Sequence, residues 1–479
     1  MNASQIQCRI DDPYFHHMIE TLGEFVAIPS VSNPKSPDYS VQALDNAAQF
    51  TVQLLKESDF EPQLLEIGDA PKFVFAQRVV NAAYPTILLY GHYDVQPVDR
   101  DKWDTNPFHM ERREARLYGR GASDDKAGVV VITKALQFLR SEGIDLQANI
   151  KVLIEGDEEY DSEPMTQLIQ KYAAMLDADA LVVMDGGNMS ERTGTLESST
   201  RGILTLSLRV DALAQPTHSG VGCLTPDPGM ALCKLVSSLE NPREIPGFMD
   251  GCIPLTQAQI QQLNEASISA EGYAAEHRVV EGAHLRGDSA KSVFQRVSDE
   301  PSLSVINMEC GKLGGGNSIQ SHAEATIGIR LTDGQDPEKV FEVVQKYLNK
   351  QEVLWNLPLT LRRIGAASKA WATNPIEKPF ARQFLESMSR YYPKTAVMPT
   401  GGAIPMFCDF EKAFPGIDAM LVGVEDPNTN AHSHNESQSL SILRNATDSL
   451  MDFLVNAGDL SARRDKTTVT GESEEKKQD

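Results

Sequence analysis

The chain has 479 residues, 41% of them hydrophobic. That length supports a large core and, at roughly 150 residues per domain, two or three domains. A formal net charge of −23 argues against nucleic acid or an anionic membrane as partner, since both select basic faces.

The six cysteines (Cys8, Cys223, Cys233, Cys252, Cys310, Cys408) are scattered and form no Cys-x-x-Cys pair. Neither a structural zinc site nor a disulfide framework is indicated. No window approaches the ~18 apolar residues of a membrane span, and the first thirty residues show no signal-peptide pattern. A cytoplasmic protein is expected.

Taken in order, residues 19–28 and 41–58 have the apolar spacing of amphipathic helices. An apolar run at 86–90 reads as a buried strand that delivers Gly91-His92-Tyr93-Asp94 to its mouth. Residues 127–140 carry Val131, Ala135, Leu136 and Leu139 at helical spacing, with Ser123 or Asp124 as cap and Gly143 as stop. Residues 149–154, 178–184 and 419–424 read as further strands, the last followed by a loop containing His432 and a helix to about 457. His92, Glu158 with Glu159, Asp185 and His432 thus follow strand ends, and Asp124 stands at a helix start. That is where α/β enzymes keep their chemistry.

Between Asp185 and His432 the pattern changes. Residues 203–210 alternate Leu204, Leu206, Leu208 and Val210 with polar neighbours, the signal of a strand with one wet face. A helix at 228–239, strands near 304–309 and 325–331, a helix at 337–350 and a strand at 357–364 complete a β-α-β-β-α-β order. This is the order of a ferredoxin-like layer. The expected organisation is an α/β catalytic domain with a mostly parallel sheet in two parts, 1–203 and 369–460, around an inserted α+β layer at 204–368. A disordered tail follows at 461–479, almost free of apolar residues. Residues 242–301 have no clear place in the layer, although 260–265 and 270–276 read as short helices.

Two metal ions about 3.5–4 Å apart activate water and clamp both reacting oxygens. Such a site needs a bridging carboxylate, terminal His and Asp/Glu ligands, and a free carboxylate as base. Asp124 is the bridging candidate; His92, Glu159, Asp185 and His432 are the terminal ones. Glu158 is the candidate base, pointing away from Glu159 if the segment is extended, and Asp94 the acid that orients His92. Nitrogen and oxygen donors without thiolate suit zinc, manganese or cobalt.

The segments Gly91-His92-Tyr93-Asp94-Val95-Gln96-Pro97, Gly119-Arg120-Gly121-Ala122-Ser123-Asp124-Asp125-Lys126, Glu155-Gly156-Asp157-Glu158-Glu159 and Ala431-His432-Ser433, with Asp185, together resemble the motif set of a co-catalytic metallopeptidase family. It contains carnosinase-like dipeptidases, glutamate carboxypeptidases, aminoacylases, acetylornithine deacetylase and succinyl-diaminopimelate desuccinylase. The resemblance implies that His92 and Asp185 bind one ion, Glu159 and His432 the other, and that Asp124 bridges them. It implies that Glu158 moves the proton, that the Asp124-Asp125 bond is cis, and that the inserted layer forms a homodimer in which His218 reaches the partner's site. Arg330 and Asn317 match positions that hold a substrate carboxylate. One loop differs: Thr400-Gly401-Gly402-Ala403-Ile404-Pro405 stands where carnosinase-like members carry Glu-Gly-Gly-Ser-Ile-Pro, so a countercharge and a hydroxyl are missing. The expectation is a two-metal dipeptidase. An N-acyl-amino-acid deacylase with the same site and a metal-bound but inactive binding protein are the alternatives, and the presence of Glu158 favours catalysis over the second.

Overall fold

The computed structural model describes residues 9–160, 163–312 and 316–460. The expected tail and Cys8 lie outside the described residues. Strand Thr86–His92 runs through a nine-stranded sheet ordered Gln63–Leu65, Phe73–Arg78, Asn149–Glu155, Thr86–His92, Ala180–Val183, Asp418–Leu421, Thr193–Thr200 and Trp371–Ala372, with Lys394–Pro399 also paired to Thr193–Thr200. From Asn149–Glu155 to Asp418–Leu421 the strands are parallel. Ile87 and Leu89 pack into the core on one side of the sheet, Leu88 and Tyr90 on the other. Both faces are covered, hence the unbroken apolar run.

Helices Asp12–Val26, Val41–Glu57, Lys126–Ser141, Pro379–Met388 and Leu440–Asn456 cover one face; Glu163–Leu176 and Met406–Ala413 cover the other. The first begins earlier than expected because Asp11 accepts from the Tyr14 N–H and a proline occupies the first turn. Neither Ser123 nor Asp124 caps Lys126–Ser141. The cap position is Asp125, whose side chain makes no capping bond; its carboxylate instead accepts from the His92 N–H at 3.1 Å.

A second, four-stranded antiparallel sheet is ordered Ser302–Glu309, His322–Leu331, Gly202–Asp211, Leu359–Ser368. Helices Pro228–Ser237 and Pro337–Leu348 pack on one face of it, which is the ferredoxin-like arrangement. The stretch from 242 to 301 forms Gln257–Ala266, Ala270–Glu276 and an unanticipated third helix, Val293–Asp299. Its Leu263, Val293 and Phe294 pack with Met189 and Met398 beside the large sheet. At the crossover from one sheet to the other, the buried Arg201 guanidinium donates to the carbonyls of Val297, Glu300 and Arg330. No helix among the described residues is long and apolar enough to cross a membrane.

Candidate metal centre

Three parallel strands and two loops deliver the candidate residues to one end of the large sheet. His92 ends its strand; Glu158 and Glu159 follow Asn149–Glu155, and Asp185 follows Ala180–Val183. Residues 158–160 form a turn rather than an extended segment, so the two glutamates diverge through the turn and not through strand alternation. Asp124 precedes a cis peptide bond to Asp125. Asn430, His432 and Asn435 all take positive φ, a conformation uncommon outside glycine in which asparagine and histidine are among the more frequent residues.

His92 Nε2 lies 3.2 Å from Asp124 Oδ1, 3.6 Å from Asp185 Oδ1 and 4.0 Å from Glu158 Oε2. His432 Nε2 lies 3.0 Å from both Asp124 Oδ2 and Glu159 Oε2. Two donor groups result, His92-Asp124-Asp185 and Asp124-Glu159-His432, and Asp124 belongs to both through different oxygens. Donors held 2.0–2.1 Å from a tetrahedral ion sit roughly 3.3 Å apart, so these spacings fit a cation in each group. His92 Nε2 and Glu159 Oε1 are buried without a hydrogen-bond partner, which suits both atoms to ligate a cation. Asp94 stands behind: its Oδ1 is 3.3 Å from His92 Nδ1, and its carboxylate accepts from the N–H groups of Glu158 and Glu159.

The electrostatics agree. Burial, opposed by His92 and reinforced by Asp185, holds the Glu158 carboxyl well above the usual range. Burial and the charge of Asp124 push Glu159 up to about 7. Asp124 goes the other way: burial would raise it, but its hydrogen bond with His432 and the His92 imidazole beside it hold it well below. Hydrogen bonds to Asp124 and Glu159 push His432 up to about 11. Buried carboxylates crowded against one another favour whatever brings positive charge, here protons on imidazoles or metal cations.

Of the residues expected to hold substrate, none is bonded to these groups within the chain. Exposed His218 accepts from the Gly220 N–H through Nδ1, and the carbonyl of Asn317 accepts from the Ser219 N–H. Arg330 is half-buried in His322–Leu331 beside Arg201. Conversely, Glu436 was not anticipated. It accepts from Arg120 Nη1 at 2.6 Å and from the N–H groups of Gly121, Ser123 and Asp124. It therefore ties the turn carrying Asp124 to the loop carrying His432. Its sequence signal was weak: a glutamate four residues after His432, with an arginine far upstream as the partner. Gln96, which donates to Glu159 Oε2 at 2.8 Å, was also missed.

The sequence model described as Peptidase family M20/M25/M40 matches residues 88–456. The chain belongs to this peptidase family. It is 27% identical over 455 residues to a cysteinylglycine-S-conjugate dipeptidase of Corynebacterium striatum, covering 93% of this chain and 96% of that one. It is 30% identical over 355 residues to the human Beta-Ala-His dipeptidase, covering 70% and 69%. Among solved structures, the M20 family metallo-carboxypeptidase Sso-CP2 of Sulfolobus solfataricus superposes with a TM-score of 0.82 at 26% identity, over 94% of this chain and 100% of that one. Human carnosine dipeptidase 1 shares the fold, with a TM-score of 0.79 at 24% identity over 94% and 98%.

Proposed function

We propose that this member of the family is a cytoplasmic, homodimeric metallopeptidase that hydrolyses the amide bond of dipeptides or similar small amino-acid conjugates. The observation that carries the reading is the pair of donor groups sharing Asp124. Two divalent cations belong there, His92, Asp124 and Asp185 holding one and Asp124, Glu159 and His432 the other. Zinc suits such donors best, with manganese or cobalt as substitutes. When bound there, such cations would supply Lewis acidity toward the scissile carbonyl and toward water.

Glu158 takes the proton from the attacking water and delivers it to the leaving amine. Burial holds its carboxyl above the usual carboxylate range, and it stands 4.0 Å from His92 Nε2, within reach of a water beside the donor groups. Asp94 fixes the His92 ring through Nδ1, leaving Nε2 free to ligate. His218, from the second subunit, stabilises the developing oxyanion, and Arg330 with Asn317 holds the substrate's carboxylate. The dipeptidase names of the relatives support the substrate class. One observation favours an N-acyl-amino-acid deacylase instead: Thr400 and Ala403 leave the substrate loop without its usual carboxylate and hydroxyl.

The test is turnover of metal-stripped protein reloaded with zinc, manganese or cobalt, on matched dipeptides and N-acyl amino acids followed by mass spectrometry. Metal-dependent loss of the free-amine dipeptides is expected. Selective loss of the N-acyl substrates moves the protein to the deacylases, and binding of metal without any turnover removes the enzymatic reading.

A further inference from the structure

The loop at 400–405 lacks a carboxylate, but a neighbouring strand supplies one beside it. Glu197, in Thr193–Thr200, is opposite Met398 and Leu421 in the sheet and only 4% exposed. Its Oε1 accepts from the N–H of Gly187 at 3.0 Å, two residues beyond Asp185. Its carboxyl also faces the Thr400 side chain, whose Oγ1 accepts from the Gly402 N–H at 3.2 Å. Glu197 thus lies under the seam between the turn after Asp185 and the substrate loop, and the residues above it, Gly187 and Thr400, are half-exposed.

Among the described residues no cation pairs with it; burial, opposed by the Gly187 hydrogen bond and reinforced by the charge of Asp185, pushes it up to about 8. The other buried acids nearby are already engaged. Arg120 pairs with Glu436, and the Tyr90 hydroxyl donates to Glu155. A buried carboxyl with neutral donors and no countercharge takes up a proton or pairs with a cationic group, and the pairing with a cation is the stronger, charge-assisted one.

We propose that Glu197 is the specificity-determining carboxylate that binds the free ammonium group of the substrate, in place of the carboxylate missing from the loop. It rests on the dipeptidase reading and sharpens it: the preferred substrates carry an unblocked amino terminus. An N-acylated substrate has no charge to offer Glu197.

The experiment compares kcat/KM of the metal-loaded enzyme on one dipeptide and on its N-acetyl derivative. Glu197→Gln keeps an acceptor for Gly187 and a partner for Thr400 but has no charge. The free-amine to N-acetyl ratio is expected to fall at least ten-fold, through KM for the free amine. Thr400→Glu added to Glu197→Gln returns a carboxylate to the loop and restores the preference. Should Glu197→Gln not fold, Glu197→Asp, which retains the charge, is read instead and keeps the wild-type preference. An unchanged ratio in Glu197→Gln, a double variant that does not recover it, or a lost preference in Glu197→Asp overturns the assignment. Wild-type protein that turns over neither substrate overturns the dipeptidase reading itself, and Glu197 with it; normal wild-type turnover with an unchanged ratio overturns Glu197 alone.

Discussion

At the scale of single residues, the centre depends on groups that never touch an ion. Glu436 and Arg120 form an ion pair at 2.6 Å, both essentially buried, and three backbone N–H groups around Asp124 also donate to that carboxylate. Removing one partner of a buried pair costs roughly 3–5 kcal/mol, because the other is left charged and uncompensated. Glu436→Ala is therefore expected to lose about that much stability and to bind less metal, whereas Glu436→Gln, which can still accept, loses less of both. Urea unfolding and metal analysis of the purified variants check this; an unchanged unfolding midpoint and full metal content in Glu436→Ala would mean that the loops do not depend on it. The contrast with His92, Asp124 and Asp185 shows what a sequence reveals at this scale. Those side chains stand where a strand or helix begins or ends, at positions the periodicity already marks. Glu436 and Arg120 are 316 residues apart, and only the folded chain brings them together.

At the scale of elements, the same rule separates what was legible from what was not. Thr86–His92 and Gly202–Asp211 follow directly from an unbroken apolar run and an alternating one. Thr193–Thr200 does not: it is a central strand with few apolar residues, whose Thr195 and Glu197 accept from the Met189 and Gly187 N–H groups. Thr195 is thus buried at little cost, and hydrophobic patterning is blind to the strand. The chain's entry is another case. The Ile10 N–H donates to Asp448 Oδ1 at 2.9 Å, and Arg9 stands 3.7 Å from a carboxylate that is wholly buried. Burial pushes Asp448 up to about 6 against those two attractions. A folded-state pKa above the unfolded value means that the protonated acid is favoured by folding. This stabilisation is complete below about pH 4 and is lost as pH rises through about 6. Asp448→Asn is uncharged throughout, so between pH 4 and 7 its stability relative to the parent should improve by up to about 3 kcal/mol. Denaturant unfolding of both proteins at the two pH values measures the difference, and metal release at low pH affects both alike. A difference that does not change with pH would show that Asp448 ionises freely in the fold.

At the scale of the whole molecule, the second sheet ends in an edge that a monomer has little reason to keep. Ser302–Glu309 is the first strand in its sheet, and Val305, Ile306 and Met308 on it are 45%, 64% and 40% exposed. An unprotected apolar edge is a template for pairing with another chain, which supports the proposed homodimer. His218, exposed and remote from any bond to the metal donors of its own chain, has a role in that dimer only if it serves the other subunit's centre. This is testable by complementation. His218→Ala retains Glu158 but cannot supply the histidine, and Glu158→Gln retains His218 but cannot move the proton. Each homodimer should bind metal and lose turnover by roughly two orders of magnitude or more, the contribution of a positioned acid–base group being about 10²–10⁴-fold. In a mixed dimer, the His218→Ala subunit keeps its own Glu158 and receives His218 from its Glu158→Gln partner, so one centre is complete. Mixing the two dead homodimers under conditions that allow subunit exchange should therefore restore activity, in proportion to the mixed dimer measured by native mass spectrometry. If mixed dimers form and stay inactive, His218 acts within its own chain or not at all, and the exposed edge would then have to be explained without a shared active site.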